Sequence, residues 1–147
     1  MPPAQLAGDP TVNDAERLEH MLELVVERVG DPAPRVYERL FEQEPALREM
    51  FVLDTQGAAR GEMFHRAVET LLDLAKGHAY ARAMVEAEWS NHRMNGVSKA
   101  QFDAFFELMG QVFREALGAD WSTELECSWR DGVARIALIT GAAANAA

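Results

Sequence analysis

From Asn13 to about Thr140 the apolar residues return at the three- and four-residue spacings of a helix, and no useful stretch alternates apolar with polar residues. That single pattern constrains the chain most, because it predicts helices with one apolar face and leaves no segment that reads as a strand. Leu18, Met21, Leu22, Val25, Val26 and Val29 form the first stripe, and Val36, Tyr37, Leu40 and Phe41 the second. Pro45 ends that helix and opens a short one through Leu47, Met50 and Phe51. A long helix over 59–76 carries Phe64, Ala67, Val68, Leu71, Leu72 and Ala75, and a less regular one follows over 80–93. The cleanest period belongs to Phe102, Phe105, Phe106, Met109, Val112, Phe113 and Ala116. The last helix, over 121–140, shows Leu125, Trp129, Gly132, Val133 and Ile136 on one side.

The punctuation agrees with the period. Asn13 with Glu16, and Ser98 with Gln101, have capping-box spacing, while Asp31-Pro32 pairs an N-cap with a proline at the first helical position. Gly30, Gly77 and Gly118 are natural stops, Asn95-Gly96 a break, and Asp54, Thr55 and Gly57 turn formers. The reading is all-α: about seven unequal helices, too many for a symmetric four-helix bundle, crossing steeply around an interior pocket. The domain runs over 13–140. A flexible tail of residues 1–12, rich in proline, precedes it, and an alanine-rich tail of residues 141–147 follows.

A chain of 147 residues is one domain's worth and buries a full core without staples. Fourteen Lys+Arg against 24 Asp+Glu give a formal charge of −10, which repels phosphate backbones and anionic membrane surfaces. No nucleic-acid or membrane partner is therefore expected. Met1 to Val12 holds no apolar run of export-signal length, and no stretch approaches the roughly 18 apolar residues of a membrane span. With one cysteine no internal disulfide forms, so the expected setting is the cytoplasm. Oligomeric state is not legible.

Templates for chemistry are mostly absent. There is no phosphate-binding glycine loop, no CxxC, no HExxH and no nucleophile elbow. Cys127 lies mid-helix in an acidic stretch, a poor setting for a thiolate, and reads as packing. Four histidines remain, His20, His65, His78 and His92, and no two share a helix face at metal-ligand spacing. His20 and His78 read as solvated. His65 borders the apolar stripe, and His92 precedes the Asn95-Gly96 break.

The surroundings of His92 give it a meaning that its helix alone does not. Val36-Tyr37-Glu38-Arg39-Leu40-Phe41, then Pro45, then Leu47-Arg48-Glu49-Met50-Phe51, His92 followed by Gly96-Val97, Phe102 in a fresh amphipathic helix and Trp129 in the last one together resemble the globin family. Within it the pattern is similar to bacterial single-domain haemoglobins and the haem domain of flavohaemoglobins, over residues 13–140. The resemblance implies a haem b pocket with His92 as the proximal iron ligand, Phe51 stacked on the ring, and Tyr37 pointing into the distal side. It sets helix 59–76 over the distal face and helix 80–93 over the proximal one. Val68 and Val97 join the pocket, and Phe102, Phe105, Met109 and Trp129 its core or rim. The Nδ1 of His92 is expected to donate to the carbonyl of Glu88, with the Asn91 side chain as the other acceptor. Arg60, Arg66 and Arg93 are candidate propionate partners. Two registers of the distal helix stay open: one puts Arg60 at the polar gate and Phe64 in the pocket, and a one-residue slip puts His65 inside as a further iron ligand.

The implied function is reversible coordination of oxygen or another diatomic gas, nitric oxide and carbon monoxide included. Two alternatives stand beside it. One is a nitric oxide dioxygenase or peroxidase-like enzyme, for which an external reductase is expected because no flavin or nicotinamide segment is present. Against it, Phe102 stands where the flavohaemoglobin pattern often has a tyrosine, and the last helix offers no late carboxylate. The other is a haem-free globin-like sensor or interaction module.

Overall fold

A computed structural model describes residues 13–146, with side chains through residue 142. Six α-helices and two 3-10 segments account for nearly all of it: α1 (Asp14–Val29), α2 (Ala33–Gln43), a 3-10 corner (Pro45–Phe51), α3 (Ala58–Lys76), α4 (Ala81–Met94), α5 (Lys99–Leu117), a short 3-10 turn (Gly118–Asp120) and α6 (Thr123–Ala146). No strand occurs among the described residues, and no helix there is long and apolar enough to cross a membrane. The 3-10 corner is the short helix expected after Pro45. The expected tail over 1–12 lies outside the described residues. The last helix does not stop at Thr140 but continues to Ala146, because an alanine-rich run keeps its backbone bonds at low entropic cost.

The caps at Asn13 and Ser98 form as their spacing implies, whereas α2 starts one residue later than expected, with Pro32 in its cap position. Asn13 Oδ1 accepts from the Glu16 amide at 2.9 Å. At the start of α5 the reciprocal box closes: Ser98 Oγ accepts from the Gln101 amide at 3.1 Å, and Gln101 Oε1 from the Ser98 amide at 3.0 Å. Asp31 Oδ1 accepts from the Ala33 amide at 3.0 Å. The stop residues Gly30 and Gly77 take φ of 73° and 74°, where a side chain would be strained.

The centre of the core is Phe113, Met109, Val25, Leu125 and Ile136, all at most 1% exposed. Helix α5 runs through the middle, packed on α1, α2, α4 and α6, while α3 lies across α1, α2, α4 and α6. Contact between α5 and α6 is close enough that a Cβ on Gly110 would stand 2.5 Å from Trp129 Nε1. Cys127 is exposed rather than packed, since α6 turns Leu125, Trp129, Gly132 and Ile136 inward and leaves residue 127 on the outer side.

Candidate functional site

The core opens on one side. Between α2, the 3-10 corner, α3, α4 and α5 lies a cavity of about 860 Å³, its open mouth included, with Ile136 of α6 closing the floor. Its lining is mostly apolar and aromatic with a few polar groups, the composition of small-molecule sites.

Tyr37 reaches it from α2. Its ring contacts Phe105, Phe51 and Phe41 at centroid distances of 5.3, 5.6 and 6.0 Å. The side chain is 2% exposed, and its hydroxyl is buried without a hydrogen-bond partner. Burial pushes the phenol well above its ordinary pKa, with Asp54 adding to and Arg60 opposing the effect. The hydroxyl therefore stays protonated at any physiological pH, a donor with nothing of the protein's own to bind.

His92 reaches the cavity from the last turn of α4. Its Nδ1 donates to the carbonyl of Glu88 at 2.7 Å, the acceptor expected from the helix, and a carbonyl can only accept. That bond commits the proton to Nδ1 and leaves the lone pair of Nε2 free in the neutral ring. Asn91 makes no such contact; its carbonyl instead accepts from Asn95 Nδ2 at 2.8 Å. Phe102 stands edge-on to the imidazole, centroids 5.1 Å apart, and is itself braced by Trp89 and Phe106. Phe51 and Val97 complete this group, so Tyr37, Phe51, His92, Val97 and Phe102 share one cavity.

Arg66 and Phe105 line the cavity as well, and the remaining named residues stand elsewhere. Arg60 is drawn to Asp54: Nε meets Oδ2 at 3.1 Å and Nη2 the Asp54 carbonyl at 3.0 Å. Asp54 also accepts from the Ala59 and Arg60 amides, and those bonds hold its carboxyl below the usual range. Phe64 turns into the core against Phe113, centroids 6.2 Å apart. Val68 lines a small apolar gap with Leu18, Met21 and Trp129. The His65 ring is 73% exposed and pairs with Glu69 at 3.1 Å. Arg93 is exposed.

The face of α3 toward the cavity is Met63, Arg66, Ala67 and Thr70. This is neither expected register. One residue is about 100° of arc on a helix, so a face centred between 63 and 67 puts 64 and 68 into the core and 65 into solvent. Nothing in apolar periodicity points to Arg66 and Thr70 as wall residues. His92 is the one histidine lining the cavity among the described residues, where no cluster of three metal-ligating side chains occurs.

The geometry tests whether the residues fit a flat, mostly apolar metal macrocycle. One imidazole with a committed tautomer, one buried donor with no partner and an apolar aromatic slot between them are compatible with that guest. A family model described as Globin matches residues 34–138. No curated protein and no solved structure matches the chain significantly.

Proposed function

Because the chain belongs to the globin family, we propose that its cavity holds haem b and that the protein reversibly binds oxygen or another diatomic gas in the cytoplasm. The observation that carries this reading is the pairing of a free His92 Nε2 with an unpartnered Tyr37 hydroxyl in the walls of one apolar cavity. Haem, when bound, supplies an iron with one position for a protein ligand and one for a gas.

The chain's own residues do the rest. The Glu88 carbonyl orients the imidazole and fixes its tautomer, and Phe102 limits its rotation. Phe51, Leu47 and Phe105 offer apolar area to a flat ring and keep water out. Tyr37 donates one hydrogen bond to whatever acceptor enters beside it, and the dry surroundings strengthen that bond. Arg66 is the one cation in the cavity wall among the described residues, and so the natural partner of a propionate. The His65 ring is turned to solvent toward Glu69 and is not part of the cavity wall.

Titration of the purified chain with haemin, followed by reduction, tests the reading. A Soret band saturating at one equivalent is expected, and His92→Ala should lose that band on gel filtration. No band in the unsubstituted protein overturns the proposal. The donor at Tyr37 also favours a second reading, dioxygenation of nitric oxide with an external reductase. Mixing the oxygenated protein with nitric oxide separates the two by whether nitrate forms over repeated turnovers.

A further inference from the structure

The cavity wall carries two charged side chains, one of each sign, on the two helices that flank its mouth. Arg66 of α3 and Glu88 of α4 meet across the gap, Nη1 to Oε1 at 3.6 Å, with side chains 58% and 26% exposed. Arg66 is also held from its own helix by Glu62, Nη2 to Oε1 at 3.7 Å. The guanidinium thus stands between two carboxylates, and an incoming acidic group competes with them for its charge. Glu62 lies wholly outside the cavity wall, whereas Glu88 is part of it, with its carboxylate 4.0 Å from His92 Nδ1. Glu88 is the one that an incoming acidic group meets.

We propose that Glu88 is a positioning residue that clasps Arg66 across the mouth, and that a cofactor enters by exchanging one of its own carboxylates for that of Glu88. This rests on the reading of the cavity as a haem site. Two consequences follow from the charges. The clasp sets the orientation of the guest, because an acidic edge is neutralised only at Arg66 and is repelled near Glu88. It also sets the rate of entry, since a charge at the rim acts on association and is screened by salt.

The test is stopped-flow uptake of haemin by the full chain, for the unsubstituted protein, Glu88→Gln, Arg66→Gln and the double variant, at low and high salt. Glu88→Gln keeps the backbone carbonyl that orients His92. It should take up haemin about threefold to tenfold faster at low salt, with the gain vanishing at high salt. Arg66→Gln should release haemin faster, and the uptake gain from Glu88→Gln should be smaller in the Arg66→Gln background, because part of the effect of Glu88 runs through the guanidinium. Haemin dimethyl ester, which has no carboxylates, should enter the unsubstituted protein and Glu88→Gln at equal rates. Equal haemin rates for those two proteins at every salt concentration, additive effects in the double variant, or the same gain with the ester would overturn the clasp while leaving the haem reading intact. Absence of a Soret band in the unsubstituted protein removes both.

Discussion

Tyr37 pulls in two directions. Its hydroxyl is buried with no acceptor, which costs the empty protein about 1–3 kcal/mol relative to a satisfied group. The same hydroxyl is the donor a polar guest would use. Tyr37→Phe should therefore leave the empty chain as stable as before or about 1 kcal/mol more so, read from the urea midpoint, while oxygen dissociates about tenfold faster from the haem-loaded form, read by flash photolysis. A variant that loses stability without changing gas kinetics would make Tyr37 a core residue only. His92 was legible because an Asn-Gly break, a Gly-Val pair and a phenylalanine surround it. Arg66 is legible only as one of three candidate propionate partners and the Glu88 carboxylate not at all, since a charged pair at a cavity mouth looks like any solvated pair on a helix surface.

Helix α3 shows where an element's orientation escapes its sequence. Phe64, Val68 and Leu71 are its most apolar residues, and they serve the core against α1 and α5. The cavity face is the adjacent strip, with a methionine, an alanine, an arginine and a threonine, and no hydrophobic period announces it. Loop length before the helix decides the register, and counting back from His92 does not supply it. The structure supplies it through Asp54, whose carboxylate caps the amides of Ala59 and Arg60 because Gly57 has no side chain to do so. The carboxyl's pKa is lowered in the fold, first by the Arg60 amide, so the charged form is favoured there. Its contribution is complete above the ordinary carboxylate range and disappears as pH falls through the lowered value. Asp54→Ala should lower the melting temperature at neutral pH and have little effect in acid below that value, checked by calorimetry across the pH range. An equal loss at both ends would mean that the carboxylate is not the anchor.

At the scale of the whole molecule the packing is uneven. One side holds a cavity and the other holds Gly110 pressed against Trp129, where a Cβ would come within 2.5 Å of Nε1 and 3.1 Å of Cε2. Gly110→Ala gains helix propensity of up to about 1 kcal/mol and pays in overpacking, typically 1–3 kcal/mol. A net loss near 1 kcal/mol is expected, and unchanged or higher stability in urea would show that the indole shifts freely. All-α architecture and element order were readable from period and punctuation, because each helix buries one face. An interior pocket is expected from the number and unequal lengths of the helices, but which residues wall it is not readable from period and punctuation, because wall residues are apolar for the same reason as the residues that fill a core.

The 3-10 corner has no buried residue of its own, although Leu47, Met50 and Phe51 form part of the cavity wall and Val52 and Leu53 beyond it are exposed. A seam gripped from one side only can breathe while Phe113, Met109 and Leu125 stay shut. If a flat guest binds in the cavity, an opening at this corner would let it pass without a breach of the buried centre.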